Sequence, residues 1–512
     1  MELTLKKRSM ELYEHVLDST MALEETLDII VPDLSPDILR IVSATGAAYV
    51  KEKNPREGKL DVSGVIKGFV LYVAEGDKVV RRLEFTMPFS HVFEAAGLTS
   101  ASKVMVCARI RGMDAREINP RKINVRAVAE ISAKAFESRE VHICEDIENA
   151  GEYGIETRKT KISLYSPQAV CNKSFTISDD VEIPSSRPPF ASMLKYDIAL
   201  RESDMKLIGN KAIIKGAAQI KYVYNTRDGS MATCEHELPF SQIVDIEGVT
   251  DDCELRVNFC IRGAEIEPQH DMAGDARYIT VSILVDVCAI AYFKGDVSML
   301  GDMYSTRYNL DIKCDTMKFT ELTDRFSKRV AVTETMETGS AIKQVVDISV
   351  RLEPHTIRCE EGGEVIVNEA NISVLYSGED DTAYCATRKC SVVCPVNIEG
   401  ENEFICDVTT AGESYTAGMG NELIIRFFAD YDITAVRTES VTCVGAVQAD
   451  EQNVKDVSNN PSVIIKYIEA TRPIWEIAKQ YNTTVAEIIS ANGLGESESV
   501  SEGSLILIPK KR

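Results

Sequence analysis

The feature that most constrains this chain is a repeat inside it. Residues Pro88 to Gly112 align, without a gap, on the residues 151 positions further along. Pro88-Phe89-Ser90 falls on Pro239-Phe240-Ser241, Val92 on Ile243 and Gly97 on Gly248. Val104, Val106, Ala108 and Ile110 then fall on Leu255, Val257, Phe259 and Ile261, and Arg111-Gly112 on Arg262-Gly263. A shared Pro-Phe pair, a shared glycine and a whole strand in register mark a duplicated folding unit. Val104 to Ile110 alternates apolar with other residues, the period of a half-buried strand. Pro88 and Pro239 have no N–H to give to a ladder, so each is expected to close the strand before it. Ser90 to Gly97 reads as one or two helical turns ending on a glycine C-cap. The recurring Arg-Gly suits an arginine paired with a carboxylate, beside a glycine that admits a bend.

Each copy has a lead strand before this block, Val62 to Tyr72 and Ile213 to Tyr224, and a closing strand after it, Ile123 to Ala135 and Tyr278 to Tyr292. A third, worn copy has Val365 to Tyr376 as its lead and Leu423 to Val436 as its closing strand. There Cys394-Pro395 stands for the Pro-Phe and Ala411-Gly412 for the Arg-Gly, with a connection seven residues shorter. The units span 24–160, 170–315 and 330–445. Many strands punctuated by Gly and Pro turns predict a mostly β chain, its three tandem repeats sandwich or barrel-like. Residues 1–23 read as an amphipathic helix, and the polar, turn-rich stretch 446–461 as a linker to a last domain.

With 512 residues, the chain must build several cores. Its net charge of −23 argues against nucleic acid as the main partner, which would call for a basic footprint. No apolar run approaches the roughly 18 residues of a membrane span. The opening residues lack the apolar stretch of a secretion signal, so the chain is expected to stay in the cytoplasm where it is made. Its 14 cysteines are accordingly read as reduced thiols. Cys385, Cys390 and Cys394 lack paired CxxC knuckles and have no histidine nearby, so no metal is expected. None of the six histidines lies in an HExxH or nucleophile-elbow context. Cys234 and His236 would share a strand face, but no third group is suggested to orient them. Phosphate-binding glycine motifs are absent as well. The expectation is a protein with no catalytic residues and no cofactor.

From Lys466 the pattern changes. Tyr467 to Ala470 is a short strand, and Arg472-Pro473 opens a helix with proline at an early position. Ile474, Trp475, Ile477, Ala478 and Tyr481 follow at helical spacing, and Asn482-Thr483 breaks the helix. A second helix carries Val485, Ile488 and Ile489 and ends at Asn492-Gly493, and Leu505 to Ile508 closes the module as a strand before Pro509. This βααβ order over 466–509 resembles the LysM family, with Trp475, Ile477, Ala478, Tyr481, Thr484, Ile488, Asn492, Gly503, Leu505, Ile508 and Pro509 on its pattern. The threefold repeats, with their PFS and IRG blocks, resemble the SPOCS domain of spore coat and cortex-associated proteins. Several SPOCS units followed by one LysM is the arrangement of the SipL-like spore morphogenetic proteins.

That resemblance implies a non-catalytic scaffold and adaptor in the mother cell, linking a coat basal-layer protein to the forespore surface. The alternative it carries is a binder of peptidoglycan or cortex glycan acting through LysM. The loop before the first helix departs from the family, because Thr471-Arg472-Pro473 replaces the usual Gly-Asp-Thr. Proline removes a backbone donor and arginine adds a long cation, which disfavours a sugar and favours a protein surface. Ile468, Arg472, Pro473, Ile474, Asn492 and Leu494 are the expected partner-binding residues. Trp475, Tyr467 and Tyr481 are expected to be structural.

Overall fold

The computed structural model describes residues 3–510 except 251–252, 271–275, 361–362, 399, 419–420, 456–460 and 496–497. The first repeat consists of β1 (Leu5–Ile30), β2 (Ile38–Arg56), β3 (Lys59–Ala74), β4 (Val80–Glu94), β5 (Lys103–Asn119) and β6 (Lys122–Ile147). They form two antiparallel three-stranded sheets, β1-β6-β5 and β2-β3-β4. Val62, Ile66 and Val70 of β3 pack against Val104 and Val106 of β5 and Val125 to Ala135 of β6, so the unit is a sandwich. The second repeat has the same order: β7 (Ile155–Glu182), β8 (Phe190–Ile208), β9 (Lys211–Thr226), β10 (Met231–Asp245), β11 (Cys253–His270) and β12 (Ala276–Ser305). Its two sheets, β7-β12-β11 and β8-β9-β10, touch through a single pairing, Ala276 with Phe190.

The third repeat contains β13 (Tyr308–Glu337), β14 (Ile342–Leu352), β15 (Thr356–Glu360), β16 (Gly363–Gly378), β17 (Ala383–Val396), β18 (Glu403–Ala417) and β19 (Glu422–Val454). β14 and β15 together occupy the place of β2, both pairing with β16. Where β2 and β8 carry bulges at Val50/Glu52 and Glu202/Asp204, Pro354 breaks the strand outright.

Several local expectations are corrected. The opening segment is no helix: β1 pairs with β6 from Leu5 to Ile30, and long-range pairing overrides the amphipathic pattern of residues 1–23. Pro88 and Pro239 do not end strands. They lie inside β4 and β10, which are sheet edges bonded on one side only, so the missing N–H leaves no ladder bond unmade. The first part of the expected helical turn, Ser90 to Glu94, is still strand. In the third repeat the position equivalent to Pro88 and Pro239 is Ser391, opposite Glu369, whereas Pro395 lies four residues further on, opposite Val365. Of the expected linker, residues 446–454 continue β19 and 456–460 lie outside the described residues.

The Arg-Gly motif marks a bulge. Register shifts fall between Ile110 and Gly112, Ile261 and Gly263, and Ala411 and Ser414, and Gly412 has φ +66°. Each bulge reaches a different neighbouring repeat. Arg111 pairs with Glu353 of the third repeat at 3.1 Å, and Arg262 donates to the Val50 and Lys51 carbonyls of the first. Near the third bulge, Arg201 of the second repeat donates to the Thr410 carbonyl.

The three sandwiches close around a common line. Leu71, Val223 and Leu375, each beside a buried tyrosine (Tyr72, Tyr224, Tyr376), meet in one apolar cluster. Val42, Leu194 and Val346 join them, as do Val80, Met231 and Ala383. Equivalent side chains from three repeats can share one cluster only if the repeats are arranged in a pseudo-threefold. This explains why β3 is buried on both faces from Phe69 to Ala74: one face fills its own sandwich, the other the shared layer. Beyond the sandwiches, β1–β6, β7–β12 and β13–β19 continue as two-stranded ribbons. These pack into a stem around Leu12, Ile143, Leu164, Met299, Phe319 and Cys443.

Polar staples join the repeats. Lys53 of the first reaches Asp286 of the second at 2.9 Å, and Arg351 of the third reaches Asp197 of the second at 2.5 Å. Asp347, its side chain 1% exposed, lies between Lys195 and Lys221 (2.6 Å). Against the expectation of reduced thiols throughout, Cys107 of β5 is disulfide-bonded to Cys260 of β11, with Cα atoms 5.4 Å apart. Two edge strands of neighbouring repeats face one another there, a proximity that the linear spacing of the cysteines does not encode.

Candidate functional site

The terminal module is built from β20 (Val463–Tyr467), β21 (Arg472–Pro473), α1 (Ile474–Tyr481), α2 (Val485–Asn492), β22 (Ser499–Val500) and β23 (Leu505–Pro509). α1 begins after Pro473 and ends at Asn482, whose left-handed φ of 52° stops the helix. α2 opens with a capping box in which Thr484 accepts from the Glu487 N–H, and it ends on Gly493. Ile468, Ile474, Ile477, Ala478, Ile488, Ile506 and Ile508 form the core.

Two of the expected partner-binding residues are therefore not at the surface. Ile468 and Ile474 are each 1% exposed, because both point into the space between sheet and helices. Asn492 is engaged by the fold itself. Its amide donates to the Ile488 and Leu507 carbonyls at 2.8 and 2.6 Å, and its side-chain oxygen accepts from the Leu507 N–H at 2.6 Å. It thereby ties α2 to the edge of β23 as a neighbouring strand would. Leu494 is half-buried against the module core. Arg472 pairs with Val500 and Pro473 with Ser499, and the Arg472 guanidinium leans along α1 to Gln480 at 3.4 Å and Glu476 at 3.5 Å. Of the six, these two remain on the exposed loop.

The surface that sequence reasoning missed is the outer face of β20–β23. Val463, Ile465 and Tyr467 stand opposite Pro509, Leu507 and Leu505. Ile465, Tyr467 and Leu505 are 68%, 57% and 69% exposed. The signal was present: VIIKY and LILIP are nearly unbroken apolar runs, yet a two-stranded sheet in so small a module has a core to cover only one of its faces. Val463, Ile465, Tyr467, Leu505 and Leu507 thus form an uncovered apolar face.

The module is seated on the stem through α1. The Trp475 indole N–H donates to Asp302 Oδ2 at 2.8 Å, and Lys479 Nζ lies 2.7 and 2.9 Å from the two carboxylate oxygens. Tyr304 meets the Trp475 ring edge-on at 5.0 Å and donates to the Thr483 carbonyl at 2.7 Å. Lys455 bridges the Ser305 carbonyl and the Asn482 side chain. Burial would raise the Asp302 pKa, but the bonds from Lys479 and Trp475 hold it below the usual carboxylate range. Trp475 is the sole tryptophan of the chain, so it reports on this joint directly. Asp302→Ala is expected to expose it to water, shifting its emission to longer wavelength while the β-sheet circular dichroism stays unchanged. An unshifted emission would mean that the carboxylate does not hold the module.

Among the described residues no three His, Cys, Asp or Glu side chains are grouped to hold a metal ion. Cys385, Cys390 and Cys394 are strung along β17, opposite Leu375, Ala370 and Ile366. Neighbours in that series lie roughly 17 Å and 13 Å apart at about 3.3 Å per residue. Cys234 and His236 do approach, at 3.5 Å, and Tyr222 supplies the third group at 2.8 Å from His236 Nε2. Cys234 is only 5% exposed, so a substrate has no access to its sulfur.

Comparison with known families matches residues 37–118 and 190–268 to the model described as SipL, SPOCS domain, and residues 474–509 to the LysM domain. The two SPOCS segments cover β2–β5 and β8–β11, equivalent portions of the first two repeats. No curated protein and no solved structure matches the chain. These matches agree with the likeness that the residue patterns suggest, and no helix among the described residues is long and apolar enough to cross a membrane.

Proposed function

We propose that the chain is a non-catalytic adaptor of the spore envelope that links a coat basal-layer protein, bound by its LysM module, to the forespore surface. The SPOCS and LysM matches support a sporulation-related protein with a module of the peptidoglycan-binding kind. The observation that carries the adaptor reading is the exposed face of Val463, Ile465, Tyr467, Leu505 and Leu507. Such a face gains free energy by meeting another apolar surface, at about 1.5–3 kcal/mol for each large side chain fully buried. A polar sugar offers much less. The fixed seat of α1 on Asp302 holds this face outward, as a connector between two assemblies requires.

The test uses the full chain, because removing the module would also strip the cover from Tyr304, which is 4% exposed. Pull-downs from sporulating cells with the natural chain and with Leu505→Asp should differ by loss of one dominant protein. The purified partner should bind the variant on the order of tenfold or more weakly, the equivalent of about 1.4 kcal/mol. Peptidoglycan or chitin oligomers are titrated against both proteins. Micromolar glycan binding unchanged by Leu505→Asp, with no protein lost in the pull-down, would replace the adaptor by the glycan binder.

A further inference from the structure

A cavity of about 370 Å³ opens where the repeats meet, within the range of small-molecule sites. Its wall comes from β2, β5 and β6 of the first repeat, β8 of the second and β14, β16 and β17 of the third. The broken symmetry explains the space. Ser43, Lys195 and Asp347 follow directly on Val42, Leu194 and Val346 of the apolar layer. Lys195 and Asp347 pair with each other, but the first repeat offers only a serine at that level. The short side chain leaves a hole.

Six cations line it, namely Arg109, Arg111, Lys195, Arg351, Arg388 and Lys389, against four carboxylates. Asp347 and Glu334, which do not line the cavity, pair with Lys195 and Arg388, so the charges around it balance in a chain of net charge −23. The charges are also layered. Glu130 and Glu353 lie at the bottom, with side chains 5% and 9% exposed. The groups they hold point into the space: Arg109, Arg111 and Lys389 keep 52%, 49% and 69% of their side chains exposed. Arg351 bonds to Asp197 and Thr45 through Nη2 alone, leaving the rest of its fork toward the cavity. Ile110, Met113 and Leu352 complete the wall, and such apolar neighbours strengthen electrostatic attraction. Forked donors above buried carboxylates, in a partly apolar cleft, suit a ligand with several anionic oxygens.

We propose that this cavity binds a small polyvalent oxyanion, a phosphate or a polycarboxylate. A ligand there bridges the repeats through Arg111, Arg351 and Lys389, and so adds to the bonds that hold them together.

Cys385 lines the same cavity and reports on it. Full-length protein is treated with negatively and positively charged methanethiosulfonates, and modification is read at each cysteine by peptide mass spectrometry. The exposed Cys314 and Cys359 serve as internal references. Relative to them, Cys385 is expected to react several-fold faster with the negative reagent than with the positive one. Inorganic phosphate, pyrophosphate and citrate are then added in separate arms at constant ionic strength. At least one should slow labelling of Cys385 several-fold and leave Cys314 and Cys359 unchanged, which also tells phosphate from carboxylate chemistry. Thr387→Glu, which adds a carboxylate at the rim without removing an ion pair, should abolish that protection. Equal rates for the two reagents, or labelling of Cys385 unaffected by every anion, overturns the proposal and leaves a water-filled gap.

Discussion

Replacing Asp347 with alanine should lower the stability of the whole protein by about 3–5 kcal/mol, the usual result of breaking a buried ion pair from one side. The carboxylate is 1% exposed and lies between Lys195 and Lys221 of the second repeat. Its loss leaves Lys195 without its carboxylate and Lys221 with only the more distant Glu235, at 3.7 Å, at a joint between repeats. Chemical denaturation should show the midpoint fall. The same site gives a pH dependence. Burial raises the Asp347 pKa, but the two lysines outweigh burial and leave it below the ordinary value. The folded-state pKa therefore lies below the unfolded one. The contribution is complete above the unfolded value, near pH 4, and is lost as pH falls through the folded value. In Asp347→Ala the part of the acid sensitivity lying below about pH 4 should shrink. A variant as stable as the natural protein, with an unchanged acid limb, would show that the joint does not depend on this group.

A comparable loss is expected at the shared apolar layer. Leu71 and Leu375 are 0% and 2% exposed and belong to different repeats, yet fill one cluster. Each changed to alanine should cost about 2–5 kcal/mol, through lost burial and the cavity left behind. The double variant should cost less than the sum of the two, because the second truncation enlarges a void that the first already opened. Strict additivity, measured by denaturant unfolding, would mean that the repeats do not share this layer.

Much of the repeat architecture was legible because strand alternation and a duplicated motif survive in two copies. The third copy misled at one point, where Pro395 attracted the alignment although the register belongs to Ser391. The prolines themselves misled too, since a sequence does not say which strands are edges. The opening segment looked helical because its partner in β6 lies more than 100 residues away. The shared layer was hidden for a different reason. Val42, Leu194 and Val346 look like ordinary core residues, and nothing local distinguishes an apolar side chain facing its own sandwich from one facing a neighbour. In the terminal module the fold was readable from Trp475 to Pro509. Side-chain exposure was less readable: of the residues expected to bind a partner, Ile468 and Ile474 are in the core, and Asn492 holds a helix to a strand. The exposed face of β20–β23 required knowing that the sheet has only two strands.

The pseudo-threefold has a cost during synthesis. Leu71 cannot finish its packing until Leu375 leaves the ribosome, more than 300 residues later. At about 5–20 residues per second, that interval is on the order of 15–60 s. Throughout it, the nascent first repeat carries an uncovered apolar flank, open to chaperones and to other chains emerging from the same message. A separate gene for each repeat would face the further task of finding two partners by diffusion. One continuous chain replaces that search with waiting, so translation speed between codons 71 and 375 becomes a determinant of how much protein reaches its folded state.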